Sequence, residues 1–225
     1  VEPLSALLRS DDEPARRAFQ SAMLGFALLG TAAFALGALR LLYAPFLGAV
    51  IAVLAAAGLW RLVRARPWVV RAVTFSDVPL MASAAFVLAH APKALYPVLE
   101  HDENVYHLLL PKLYLAAHAL SPQPWSLFAN MPHLVDLSFV FPVALGGFTA
   151  AKVFVLGFIA WTLVGLAPFG RAMLGPIGPG VLALLFLSGR VVQWHLGLVY
   201  VEPVIGALLL CALQSLWRYW ESGES

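Results

Sequence analysis

Long apolar runs separated by short polar connections dominate the chain. The first two runs, residues 18–39 and 41–60, contain no charged residue, and each is long enough to cross a hydrocarbon core of about 30 Å. Charges, prolines and glycines mark where such runs end. They divide the chain into seven apolar segments, at 18–39, 41–60, 78–99, 134–151, 153–170, 179–198 and 203–217.

These segments predict an all-α fold, a polytopic transmembrane helix bundle with about six to seven apolar segments. Residues 1–225 then form a single integral membrane domain. Because only residues 40–45 separate the first two segments, we expect those segments to form an antiparallel helical hairpin.

The positions of the arginines orient the bundle, because Lys and Arg are enriched in cytoplasmic loops. Arg16 and Arg17 precede the first segment and a basic cluster at 61–71 follows the second, so both lie on one side if both segments cross. We therefore expect residues 1–17 to be a cytoplasmic N-terminal segment. A third crossing then makes residues 100–133 an extracytoplasmic loop.

That loop is too polar and too rich in proline to span a bilayer. Pro111 suits the first turn of a helix, and apolar residues recur over 112–120, with Lys112 and His118 as polar positions. This pattern predicts a short interfacial helix lying along the outer surface.

The number of crossings between residues 134 and 198 decides where residues 200–203 lie. If all three of these segments cross the membrane, residues 200–203 lie on the cytoplasmic side, opposite to Asp102. The segment 134–151 is the weakest, because Pro142 and the pair Gly146–Gly147 interrupt it. We expect one segment to be re-entrant or to lie on the surface, so that both acidic stretches share the outer side.

Composition excludes several classes of protein. Apolar residues make up 61% of the chain and charged residues 12%, against about 45–50% and about 25% in soluble domains. The net charge of +2, with no basic run interleaved with aromatic residues, gives no indication of a nucleic-acid partner. Cys211 is the only cysteine, which excludes a disulfide framework.

Two clusters of ionisable residues could carry chemistry. Carboxylates at a membrane surface can bind a divalent cation or act as a general base, and a nearby lysine or histidine can hold a phosphate; a loop that is merely hydrated is the alternative. Asp136 could face a polar cavity or cap a helix, and the sequence leaves both open. The first cluster contains Glu100, His101, Asp102, Glu103, Tyr106, His107 and Lys112, and the second contains Trp194, His195, Tyr200 and Glu202.

Five short blocks then give the chain a family likeness. They are Asp-x-x-x-Tyr-His-Leu at 102–108, Leu-Pro-Lys-Leu-Tyr-Leu at 110–115, Phe-Ala-Asn-Met-Pro at 128–132, Ala-Leu-Gly-Gly at 144–147 and Tyr-Val-Glu-Pro at 200–203. Over residues 78–217 the chain resembles the N-terminal half of bacterial membrane glycosyltransferases of the GT-C superfamily, which includes mannosyl and aminoarabinose transferases.

The resemblance implies transfer of a sugar from a polyprenyl-phosphate carrier to an acceptor hydroxyl on the outer face of the bacterial inner membrane. Asp102 matches the acidic residue of the family's first large outer loop, which serves as the base or helps to hold the site. Glu202 stands where the family commonly has an aspartate, and both carboxylates are candidate catalytic residues and ligands for Mg²⁺ or Mn²⁺. The groups that would meet the phosphate or substrate are Tyr106, His107, Lys112 and His195.

The length of the chain raises a second interpretation of its function, because GT-C enzymes have more crossings than this chain. The chain is then either the first part of an enzyme or a shortened relative that serves as a non-catalytic accessory subunit of a larger membrane complex. Such a subunit would pack through small residues in the first two segments: Gly25, Ala32, Ala33, Gly37, Ala52, Ala55, Ala56 and Gly58. A transporter has less support, because it would need ionisable groups deep within helices, whereas these lie near the ends of the apolar segments.

Overall fold

The computed structural model describes residues 13–65, 74–130 and 133–222, and within these ranges the chain forms helices and no strands. The predicted all-α helix bundle is confirmed. Most of the predicted N-terminal segment 1–17, part of the basic cluster 61–71 and residues 131–132 lie outside the described residues. The helices are α1 (Glu13–Ala38), α2 (Ala44–Ala65), α3 (Val78–His90), α4 (Leu109–Ala117), α5 (Leu134–Ser138), α6 (Val140–Leu174), α7 (Gly178–Ser188), α8 (Arg190–His195) and α9 (Glu202–Ser222).

Within the described residues, four helical segments are long and apolar enough to cross a membrane, which indicates an integral membrane protein. The prediction of six to seven crossings is not confirmed. The last of the four segments contains both α6 and α7, joined by a tight 3₁₀ turn at Gly175–Ile177. The four segments are Ala15–Ala38, Ala44–Arg61, Phe75–Leu95 and Val140–Ser188.

The first two helices form the predicted hairpin. Arg40 adopts a left-handed conformation (φ 60°) in the connection, and α2 begins at Ala44. The following loop packs onto this turn, since the Leu42 amide donates to the His118 carbonyl at 3.2 Å. At Gly37 a β-carbon would lie 2.5 Å from the Leu120 side chain, so a glycine is needed for this close approach.

Contacts define two ends of the bundle. Residues 37–47, 90–130 and 189–202 gather at one end, which we call the loop end. At the opposite end, Gln20 reaches Ser215, and Gln214 donates to the Gly165 carbonyl at 2.6 Å. The expectation that the two acidic stretches share one end is thereby confirmed.

The predicted boundary between the segments 134–151 and 153–170 is wrong. The chain is interrupted earlier, between α5 and α6 and then at Gly146–Gly147, where Gly147 has a φ of 67°. Lys152 instead lies inside α6, with only 2% of its surface exposed. A single lysine in an apolar run looks like a boundary, because the sequence does not reveal a buried partner for its charge.

A helix is present where residues 112–120 predicted one, but it spans Leu109–Ala117, and its position at a membrane surface stays a prediction. Leu110 and Tyr114 are buried in a core cluster that also contains Ala33, Leu42 and Leu47 from the α1–α2 hairpin. Its apolar face therefore packs against other helices. An amphipathic pattern cannot distinguish a face covered by protein from a face covered by lipid.

Close packing of α1 against α6 holds the opposite end together. The ring of Phe19 is fully buried and lies against Gly165, where a β-carbon would be 2.7 Å from the ring. Gly157, earlier in the same helix, has no atom within 4 Å of its β-carbon position.

We predict that Gly165→Ala destabilises the bundle by about 1–3 kcal/mol, because a buried aromatic ring has no room to move aside. Gly157→Ala should be neutral or stabilising by up to about 1 kcal/mol, because alanine favours the helix. Unfolding of the two variants in detergent micelles measures the difference. Equal stability of the two variants would contradict this packing.

Candidate functional site

Two stretches that are distant in the sequence meet at the loop end, residues 100–107 and 194–202. The Val199 amide donates a hydrogen bond of 2.6 Å to Glu103 Oε1. The rings of His107 and Tyr200 have centroids 5.3 Å apart. Most of the residues that the sequence singled out therefore belong to one site.

A wide helical turn carries the first stretch into the protein. Residues Glu103–His107 form a π-helical turn, closed by the Leu108 amide donating to the Glu103 carbonyl at 3.0 Å. Such turns are rare and are frequently found at functional sites. Here the turn places both Glu103 and His107 inside the bundle, with exposed fractions of 0% and 1%.

Glu103 faces a buried lysine. Its Oε2 atom lies 3.8 Å from Lys152 Nζ and accepts no hydrogen bond in the described part of the chain. Lys152 also donates to the carbonyls of Tyr96 and Pro97, at 3.2 and 3.3 Å. Burial raises the pKa of Glu103, while the Val199 amide and the charge of Lys152 act in the opposite direction. This pair connects the loop 96–103 to α6 and to the 199 region.

A second buried cluster joins the π-helical turn to α5. His107 Nδ1 lies 2.6 Å from Asp136 Oδ1, and His133 Nδ1 lies 3.5 Å from Asp136 Oδ2. Burial raises the pKa of Asp136, but the hydrogen bonds from both histidines outweigh burial and bring that pKa below its ordinary value. The hydrogen bond to Asp136 raises the pKa of His133. Asp136 thus faces a polar interior, one of the two options that the sequence left open.

Asp102 lies at the more exposed side of the same turn, beside Tyr106. Burial, together with the charge of Asp102 and the hydrogen bond to it, raises the pKa of Tyr106 to about 12. The Tyr106 ring stacks on Phe128, with centroids 4.2 Å apart and an interplanar angle of 13°. The ring of Tyr106 is therefore held against Phe128, with the charge of Asp102 close by.

Glu202 is the exposed member of the second stretch. Its Oε2 atom lies 3.7 Å from His195 Nε2, and its side chain is 57% exposed, against 8% for His195. The Tyr200 ring packs edge to face on His195, with centroids 4.8 Å apart. Tyr200 thus lies between His195 and His107, and the negative charge of Glu202 also acts on Tyr106.

The structure brings together five of the six predicted site residues and leaves one apart. Lys112 is exposed on α4, and its side chain forms no hydrogen bond or ion pair with another described residue. Glu103, which the sequence placed in the same acidic cluster as Asp102, belongs to the site, and its partner Lys152 is a member that the sequence did not indicate. One signal was available, because an isolated lysine within an apolar run is costly unless it is paired. The five that meet are Asp102, Tyr106, His107, His195 and Glu202.

An apolar groove lined by residues of α6, α7, α8 and α9 reaches His195 and Glu202. Its volume is about 190 Å³, and side chains such as Ile159, Phe186 and Leu210 line it together with His195 and Glu202. A typical small-molecule pocket holds about 300–1,000 Å³. The groove is therefore suited to a segment of a hydrocarbon chain whose polar end lies near Glu202.

A metal ion held by protein ligands alone does not fit the described part of the site. Within residues 13–65, 74–130 and 133–222, no group of three or more His, Cys, Asp or Glu side chains is arranged to hold one. Asp102 and Glu202 nevertheless supply hard oxygen donors. Mg²⁺ is commonly bound by one or two carboxylates together with substrate phosphates.

No protein-family model, curated protein or solved structure matches this chain.

We predict that Lys152→Met destabilises the protein by about 3–5 kcal/mol, because the carboxylate of Glu103 loses its buried partner. Adding Glu103→Gln to the Lys152→Met variant should restore part of the lost stability, since glutamine carries no charge and can still accept a hydrogen bond from the Val199 amide. Lys112→Met, the same substitution at an exposed lysine, should change stability little. Unfolding in detergent micelles measures all three variants, and a Lys152→Met protein as stable as the Lys112→Met protein would refute the buried pair.

The Asp136 cluster predicts a pH dependence. The stability from Asp136 is present above its unfolded pKa of about 3.9 and is lost as the pH falls through its lowered folded pKa. The stability from His133 is present below about pH 6.5 and is lost as the pH rises through its raised folded pKa. Asp136→Asn should therefore lower the free energy of unfolding most, by about 1–3 kcal/mol, between about pH 4 and 6.5. The decrease should be smaller at higher pH.

His133→Asn is the matched variant for this measurement. It should remove the loss of stability at rising pH and keep the loss at acidic pH, because His107 still donates to Asp136. Unfolding midpoints recorded from about pH 2 to 9 separate the two effects, because the loss assigned to Asp136 lies below its unfolded pKa of about 3.9. Parallel pH profiles for the wild type and the Asp136→Asn variant would show that the cluster does not titrate in this way.

Proposed function

We propose that the protein is a membrane glycosyltransferase of the GT-C type, or the part of one that carries the acidic outer-loop site. It would move a sugar from a polyprenyl-phosphate carrier to an acceptor hydroxyl. The observation that carries this proposal is the meeting of Asp102 and Tyr106 with His195 and Glu202 beside an apolar groove. A lipid-linked substrate needs this combination of a groove for hydrocarbon and polar groups at its mouth.

In this proposal Asp102 takes the proton of the acceptor hydroxyl. The acceptor oxygen then attacks the anomeric carbon of the sugar, the bond from that carbon to the phosphate oxygen breaks, and the bonding electrons leave with the polyprenyl phosphate. Tyr106 would orient Asp102, because its ring is stacked on Phe128 and it lies beside that carboxylate. His195 and Glu202 lie at the mouth of the groove, where the leaving phosphate would be.

A divalent cation belongs to the same proposal. Mg²⁺ or Mn²⁺ would bind to Asp102 and Glu202 together with the phosphate of the donor, and it would offset the negative charge that develops there. Of the predicted phosphate ligands, His107 would act indirectly, because its ring is buried and bonded to Asp136. Lys112, which is exposed on α4, has no part in this mechanism.

The proposed setting is the bacterial inner membrane, with the N-terminus in the cytoplasm and the loop end on the outer face. The side chain of Arg61 lies 3.4 Å from Ser21, so the end of α2 and the start of α1 share the opposite end. Arg16, Arg17 and Arg61 thus gather there, as expected of a cytoplasmic side.

We predict that Asp102→Asn in the full-length gene product lowers the rate of sugar transfer by about 10²–10⁴-fold, the usual contribution of a general base. The assay follows a labelled sugar from polyprenyl phosphate to the acceptor fraction in membranes. His101→Asn is the matched control, because His101 is adjacent and exposed, and it should retain activity. Transfer that survives Asp102→Asn would contradict the mechanism.

A second candidate function, a non-catalytic subunit of a membrane complex, is favoured by one observation. The small residues of α2 are exposed, including Ala52, Ala55 and Ala56, whereas in α1 Ala33 is buried and Gly37 packs on Leu120. The face of α2 is therefore available to a partner helix. Stoichiometric copurification with a complex, together with an Asp102→Asn phenotype identical to wild type, would favour this function over transfer.

A further inference from the structure

A groove lined by unpaired cations opens at the loop end, on the outer side of the segment 96–100. Its volume is about 480 Å³. Lys93, from the turn that follows α3, and Arg190, the first residue of α8, both line it. Neither side chain forms a hydrogen bond or ion pair with another described residue.

Backbone packing fixes the position of Lys93. Gly197 has a φ of 85°, and a β-carbon there would lie 2.6 Å from the β-carbon of Lys93. Ala94, the next residue, is fully buried. The stem of Lys93 is thus held between the 197 loop and the core, while its ammonium group remains exposed.

The other walls are anchored as firmly. The ammonium group of Lys152 donates hydrogen bonds to the carbonyls of Tyr96 and Pro97. On the Arg190 side, the Gln193 side chain donates to the Leu187 carbonyl at 3.1 Å, which ties α8 to the end of α7. Hydrogen bonds therefore connect both sides of the groove to neighbouring helices.

The charge in the groove is positive. Glu100 is the one carboxylate among the residues that line it, and the charge of Lys152 is matched by Glu103. Lys93 and Arg190 therefore outnumber the single acid. An anion would satisfy both cations, and Arg can donate two parallel hydrogen bonds to one phosphate.

The location points to a lipid as the source of that anion. Lys93 lies at the end of the apolar segment Phe75–Leu95, and Arg190 lies just past the end of Val140–Ser188. Lipid head groups lie at the ends of such segments, and exposed aromatic residues gather at the same depth. Tyr96 and Trp194, which line the groove, are 64% and 56% exposed.

We propose that this groove binds the phosphodiester head group of an anionic bilayer phospholipid, with Lys93 and Arg190 donating to its phosphate oxygens. The site is separate from the proposed transfer site, because none of its residues takes part in that mechanism. The lipid-binding proposal can therefore be correct whether or not the proposed function is.

The test is thermal unfolding of the purified full chain in a neutral detergent, with phosphatidylglycerol or phosphatidylcholine added at matched concentrations. For the wild type, phosphatidylglycerol should raise the midpoint with a half-saturation at least about tenfold lower than that of phosphatidylcholine. The double variant K93Q/R190Q should lose this preference. R40Q, which removes an exposed cation elsewhere at the loop end, should keep it.

Two further arms make the outcome unambiguous. The charge-preserving variant K93R/R190K should retain the preference for phosphatidylglycerol, and its loss there would overturn the proposal. Inorganic phosphate should not reproduce the effect, and if it does so at the same concentration, a membrane lipid is not the source of the anion. An undiminished preference in K93Q/R190Q would also overturn the proposal.

Discussion

The buried carboxylate of Glu103 is the constraint on which the arrangement of the loop end depends. A charge removed from water is costly unless it is paired and hydrogen-bonded. Glu103 meets this requirement with groups from two other parts of the chain, the Val199 amide and Lys152 of α6. Lys152 extends the connection to the carbonyls of Tyr96 and Pro97. One carboxylate thus fixes three segments that the sequence keeps far apart.

The exposed groups of the site owe their positions to this buried pair. Asp102 precedes Glu103 directly, and the π-helical turn that begins there sends His107 inward to Asp136 and presents Tyr106 to Asp102. The residues with buried partners provide rigidity. The residues nearest the surface, Asp102 and Glu202, remain available for chemistry, as expected of a preorganised site.

Composition and apolar segment length were sufficient to predict the helical membrane class and the α1–α2 hairpin. The interruption at Gly146–Gly147 also indicated that the two acidic stretches share one end. The role of Lys152 was not predictable, because its partner Glu103 lies 49 positions earlier in the sequence. A hydropathy pattern also places the end of an apolar segment at any charged residue. The burial of α4 was missed because an apolar face looks the same whether protein or lipid covers it.

Hydrogen exchange at the Val199 amide tests this account most directly. In the wild type this amide should be protected by its bond to Glu103, and Glu103→Ala should speed its exchange on the order of a hundredfold. Glu103→Gln should keep most of the protection, because its side-chain carbonyl still accepts. The Ile205 amide, which donates to the Val201 carbonyl, should stay protected in both variants. Fast exchange of Val199 in the wild type, or unchanged protection in Glu103→Ala, would contradict the account.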